Sequence, residues 1–112
     1  MSDIQLSKDA DYLICLIYKY YLELHDNGIP KSEAKNINTI NNIHSLVSEW
    51  SLEDTYDTCI ELSNNNLLSK KRPYIDEQYF HFSLSDNGII YMENRFTNKI
   101  DKLLNYIDKL KP

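Results

Sequence analysis

The stretch Trp50–Met92, WSLEDTYDTCIELSNNNLLSKKRPYIDEQYFHFSLSDNGIIYM, reads as a helix, two strands and the start of a second helix. Ser51 stands where a hydroxyl can accept from the amides of Glu53 or Asp54, and Trp50 before it is placed to staple the first turn. Leu52, Thr55, Tyr56, Cys59 and Leu62 recur at helical spacing and form one buried stripe. Asn66 falls where helices end in a left-handed residue, a conformation Asn tolerates better than most. Leu67 to Lys71 then reads as a strand, Arg72 to Gln78 as a polar tip containing Pro73, and Tyr79 to Leu84 as an alternating strand with Phe80, Phe82 and Leu84 on one face. Ser85-Asp86-Asn87-Gly88 opens a last helix expected to run to Leu110.

Upstream, Leu13, Leu16, Ile17, Tyr20, Tyr21 and Leu24 repeat at three- and four-residue steps, which predicts a helix over 9–26. Ser7 is its expected cap, Asp9 and Asp11 suit its first turn, and Asn27-Gly28 ends it. After Ile29-Pro30, Ser32 is expected to cap a short helix through about Ile37. A third short helix covers Ile40 to Val47. The expected fold is mainly α with a small β-hairpin. It is one domain over 1–112, with a body over 9–85 and a C-terminal helix over 86–110.

The totals narrow the function classes. At 112 residues, with 42% hydrophobic and 26% charged side chains, the chain has the make-up of one globular domain. The net charge of −5 and pI near 5.1 run against the basic stripe usual in nucleic-acid binders, so charge must be read by segment. No apolar run suits a membrane span and no charged-then-apolar leader opens the chain, which reads as cytoplasmic. Cys15 and Cys59 fall on apolar helix faces and read as buried free thiols. Neither they nor His25, His44 and His81 match a zinc-ligand spacing. With only Gly28 and Gly88 there is no glycine-rich phosphate loop. No nucleophile, paired-carboxylate or cofactor motif is recognisable, so the expectation is a protein that is not an enzyme and carries no cofactor or metal.

Two phrases carry a resemblance. Glu61-Leu62-Ser63-Asn64-Asn65-Asn66-Leu67-Leu68 looks like the junction leading from helix to wing in winged helix-turn-helix proteins, where a Gly often stands at the place of Asn66. Leu84-Ser85-Asp86-Asn87-Gly88-Ile89-Ile90-Tyr91-Met92 is similar to the wing exit of MarR-, PadR- and YjcQ-like winged helices, where leucine, threonine or serine, two variable residues and glycine open the C-terminal helix. In outline the resemblance covers about 9–110, and the chain also resembles small proteins of Firmicute phages and mobile elements. It implies a winged helix with a long C-terminal helix, and a small transcription regulator binding double-stranded DNA, often as a homodimer. The family also holds winged helices that bind only protein.

Within that resemblance the DNA-binding candidates are Lys70, Lys71, Arg72 and Tyr74 at the wing and Lys31, Ser32 and Lys35 at the second helix. The first set suits phosphate or minor-groove contact, and the second suits phosphate at a helix start. The plainer readings are a charged edge strand and an ordinary capped surface helix. The helix that would read the major groove conflicts with this, because its outward residues are Glu53, Asp54, Asp57, Thr58 and Glu61 with no Lys or Arg. Glu53, Asp54, Asp57 and Glu61 support the alternative, an acidic face for a basic protein partner with no DNA bound. In the last helix Ile89, Met92, Phe96, Ile100, Leu103, Ile107 and Leu110 recur at steps of 3, 4, 4, 3, 4 and 3. Phe96, Ile100, Leu103, Ile107 and Leu110 are the expected dimer seam, with packing on the chain's own first helix as the alternative.

Overall fold

The computed structural model describes residues 4–73, 75–97 and 99–111, with Asn38 described for its backbone only. The described chain is mainly helical. Helix α1 (Lys8–Asp26) is followed by α2 (Lys31–Ala34), strand β1 (Asn36–Asn38), α3 (Ile40–His44), a 3₁₀ turn over Ser45–Val47 and α4 (Leu52–Asn64). Strands β2 (Leu68–Lys71) and β3 (His81–Leu84) lead to α5 (Asp86–Phe96) and α6 (Ile100–Leu110). The three strands form one antiparallel sheet in the order β1-β3-β2.

Local chemistry accounts for the helix starts. Ser7, Thr39, Ser51 and Ser85 each accept with the side chain from the amide three residues on, which satisfies a donor the first turn leaves open. Helix α1 is the centre of the molecule. Its Ala10, Leu13, Ile14, Cys15 and Ile17 are fully or almost fully buried, and α4, α6 and α2 pack around it. Thr55, Cys59 and Leu62 carry the buried stripe of α4, with Leu52 and Tyr56 half-buried. Trp50 packs its ring 6.2 Å from that of Tyr12 on α1. The α4 end follows the sequence expectation: Asn66 has φ 62° and Leu67 donates back to the Leu62 carbonyl.

Three local expectations are corrected. The short helix predicted from Ser32 to Ile37 begins at Lys31, so Ser32 sits inside it and caps nothing. It stops at Ala34 because Leu84 N–H binds the Lys35 carbonyl at 2.8 Å and the chain then pairs with β3, burying Ile37. Thr58, expected on the outer face of α4, is buried and donates its hydroxyl to the Asp54 carbonyl at 2.7 Å.

The third correction concerns the long C-terminal helix, which is broken in two. Thr97 takes a left-handed conformation at φ 41°, and α6 starts again at Ile100. The turn lets α6 fold back over α1, so Phe96, Leu103 and Ile107 of the expected seam are buried in the chain's own core. Leu110 is half-buried against it, and Ile100 alone of the five stands exposed. A β-branched residue in this conformation costs about 1 kcal/mol or more. Thr97→Gly should therefore raise stability by about 1 kcal/mol in urea unfolding, whereas glycine inside an unbroken helix would lower it by about as much.

Candidate nucleic-acid interface

The β2–β3 hairpin lies against the body along β3, which pairs with β1 and buries Phe82 and Leu84. Of β2 only Leu68 is buried, and Ser69, Lys70 and Lys71 are exposed, because the strand leaves the core after one residue and forms an edge of the sheet. Tyr56 of α4 packs against β3 and the residues leading into it, with its ring 4.7 Å from Tyr79 and 5.8 Å from Phe82. Lys70 lies 5.0 Å over the Phe80 ring, Lys71 pairs across the strands with His81, and Arg72 is exposed at the start of the tip. Among the described residues none of these three cations has a carboxylate ion pair. The tip also holds Asp76 and Glu77, and Glu77 contacts His81 Nε2. Tyr74 lies outside the described residues.

The second candidate group is brought together beside two carboxylates. Lys35 is half-buried and pairs with Asp86 at 3.3 Å. Lys31 and Ser32 are exposed on the rim of a shallow hollow of about 300 Å³ that Asp86 and Glu93 also line. Two carboxylates beside two lysines leave little net attraction for an anion. Lys35 and Asp86 stand 51 residues apart in the chain, so no local pattern could have paired them.

The acidic helix is in part structural. Glu53 and Asp54 occupy the first turn of α4, where negative charge favours the helix dipole, and Ser51 accepts from the Asp54 amide at 3.0 Å. Glu61 turns inward. Its carboxylate accepts from Ser7 N at 2.8 Å and Ser7 Oγ at 2.7 Å, tying α4 to the start of α1. The acidic face is thus smaller than the sequence suggested: Glu53, Asp54 and Asp57 remain exposed.

The sequence reading missed a polar cluster where α1, α5 and α6 meet. Arg95 donates to Asp11 Oδ1 at 2.7 Å, and the Tyr106 hydroxyl donates to Asp11 Oδ2. The guanidinium lies 4.9 to 5.4 Å from the ring centroids of Tyr91, Phe96 and Tyr106. Burial alone would lower the Arg95 pKa, but the hydrogen bond and charge of Asp11 override it and hold it above its ordinary value. The bond to Asp11, with burial behind it, raises the Tyr106 pKa. The only sequence signal was Asp11 itself, which also suits its first-turn place.

Both cysteines are free and buried, and burial pushes each thiol up to about 12. Neither is a thiolate near neutral pH, so neither is an activated nucleophile. Among the described residues no group of three or more His, Cys, Asp and Glu side chains is placed to hold a metal, and no helix is long and apolar enough to cross a membrane. Comparison with family models, curated proteins and solved structures gives no significant match.

Proposed function

We propose that the chain is a small transcription regulator of the winged helix-turn-helix type that holds duplex DNA by its wing. The helical pair α3 and α4, joined by a turn and followed by the β2–β3 hairpin, supports that layout, and β1 adds a strand fastening the hairpin to the body. The observation that carries the DNA reading is the row Lys70-Lys71-Arg72, exposed along the edge strand β2 and the start of the tip. Cations so placed suit phosphates and carry no sequence preference. With α2 offering only Lys31 and Ser32, the wing provides most of the grip.

The test is anisotropy of a labelled mixed-sequence duplex at several salt concentrations. The K70A/K71A/R72A variant should lose roughly 10- to 100-fold in affinity at low salt, equally for all sequences, with the log–log salt slope falling by about 2 to 3. Unchanged affinity and slope in that variant would remove the proposal.

A second reading keeps its own support, because Glu53, Asp54 and Asp57 are exposed and without an ion-pair partner among the described residues. Under it the outer face of α4 docks a basic protein and DNA is not bound. D54K/D57K separates the two, since it abolishes such docking but leaves or improves DNA affinity. A homodimer, which the resemblance implies, finds exposed apolar side chains on the last two helices at Ile90, Ile100 and Leu104. A single-chain mass by light scattering at tens of micromolar would exclude it.

A further inference from the structure

Helices α5 and α6 enclose a shallow groove of about 310 Å³ lined by Arg95, Phe96, Lys102, Asn105, Tyr106 and Lys109. In a chain of net charge −5 the described residues of this lining include three cations and no carboxylate. Three other hollows each include at least one acid: Asp26 beside Tyr18 and Ile100, Glu77 beside Thr39, and Asp86 with Glu93 beside Lys35.

The helix period explains the segregation. Lys102, Asn105, Tyr106 and Lys109 follow one another at i, i+3, i+4 and i+7 and so share one face of α6. Asp108 acts on Tyr12 together with Glu49, on another side of the helix. Lys102 and Lys109 are exposed and have no ion pair among the described residues. Their Cα atoms lie about 10 Å apart along the axis, so the two lysines flank Asn105 and Tyr106 on that face.

The groove also holds a fixed donor. Arg95 is clamped by Asp11 and by three aromatic rings, and its side chain is still 23% exposed. A guanidinium carries five N–H donors, and the Asp11 bond through Nη1 uses one of them. Asp11 offsets one charge, which leaves a surplus from the lysines. Such a forked donor, held in place before a ligand arrives, suits an oxyanion with several acceptors. Beside it Asn105 can both donate and accept, and Tyr106 offers an aromatic wall. The volume lies at the low end of the range of about 300 to 1,000 Å³ for small-molecule sites.

We propose that this groove binds a small phosphate ester carrying a planar ring, of mononucleotide class. Lys102 and Lys109 flank the ligand, Arg95 holds its phosphate, and the ring lies along Asn105 and Tyr106. The ligand bridges α5 and α6 across the break at Thr97 and so fastens α6. The assignment is independent of DNA binding by the hairpin.

The test titrates isotope-labelled protein with 5′-AMP, adenosine and inorganic phosphate as separate probes, following backbone amides by NMR. The expected result is saturable movement of the Lys102, Asn105 and Lys109 amides with 5′-AMP and none with adenosine. K102E/K109E, two changes at exposed positions, should weaken 5′-AMP at least ~10-fold, a loss of about 1.4 kcal/mol, while K70A/K71A/R72A leaves it unchanged. Four outcomes overturn the proposal. They are no saturation by about 5 mM 5′-AMP, weaker than the millimolar range of small fragments; 5′-AMP binding untouched by K102E/K109E; inorganic phosphate binding as tightly as 5′-AMP, which means an adventitious ion only; and a duplex outcompeting 5′-AMP at these amides, which makes the groove a backbone contact.

Discussion

Gly88→Ala should destabilise the protein by about 3 kcal/mol, although the same change in an ordinary helix gains up to ~1 kcal/mol from the better propensity of alanine. The reversal is a matter of space. A Cβ at Gly88 would lie 2.2 Å from the Leu67 carbonyl oxygen, 3.1 Å from the Leu67 carbonyl carbon and 3.0 Å from Leu84 Cδ1. The closest obstacle is backbone, which cannot rotate away. That backbone is itself held: Leu67 N–H binds the Leu62 carbonyl, Ser85 N–H binds the Leu67 carbonyl, and Ser85 Oγ donates to the Asn66 carbonyl at 2.6 Å. Relief therefore requires α5 to back away, loosening Met92 and Leu84 in the core. Overpacking of this kind costs about 1 to 3 kcal/mol and sometimes more, to which the lost seating of α5 adds. The urea midpoint of the variant checks it, and a midpoint at or above that of the parent chain would show that α5 does not seat on Leu67.

That junction is also where the sequence was most informative. The run of three Asn ending at Asn66 and the phrase Leu84-Ser85-Asp86-Asn87-Gly88 are local signals, and each describes a backbone geometry that its own residues impose. Asn66 tolerates the left-handed region, Ser85 supplies a cap, and Gly88 lacks the atom that would collide. Strand β1 could not be read the same way. Three residues in an Asn-rich stretch become a strand only because β3 arrives 45 or so positions later to pair with them. The break at Thr97 was hidden because the apolar steps continue through it in phase, with neither Gly nor Pro to mark the turn.

The candidate site divides along the same line. Lys70, Lys71 and Arg72 kept their expected place, because a charged row on a short strand leaving the core is visible in one dimension. Lys35 and Glu61 did not, since their partners Asp86 and Ser7 are 51 and 54 residues away. A charge pattern counts residues; it does not say which of them are already paired. On α4 three carboxylates remain outward, and Glu61, though held by Ser7, has no cation beside it among the described residues, so the helix stays acidic.

Asp11→Ala is the second large expectation, at about 2 to 3 kcal/mol. Among the described residues Asp11 is the one carboxylate that meets both Arg95 and Tyr106, so it joins α1 to α5 and α6 at once. Removing one member of a buried ion pair costs about 3 to 5 kcal/mol because the other charge loses its partner. Here the side chains are 18% and 23% exposed, so water recovers part of that. A double-mutant cycle isolates the interaction: D11A and R95M each remove it, and the double variant should be more stable than the sum of the two losses implies by about 1 to 2 kcal/mol. The loss should depend less on salt than the affinity set by Lys70, Lys71 and Arg72, because Tyr91, Phe96 and Tyr106 cover part of the pair. Hydrogen exchange adds a spatial check. In D11A the amides of α6 should lose protection before those of α4, since α6 leans on this cluster while α4 is tied to α1 through Glu61 and Ser7. A cost below about 0.5 kcal/mol, the range of exposed surface pairs, would mean that Leu103 and Ile107 alone hold α6 down and that the cluster orients Arg95 without fastening the helix.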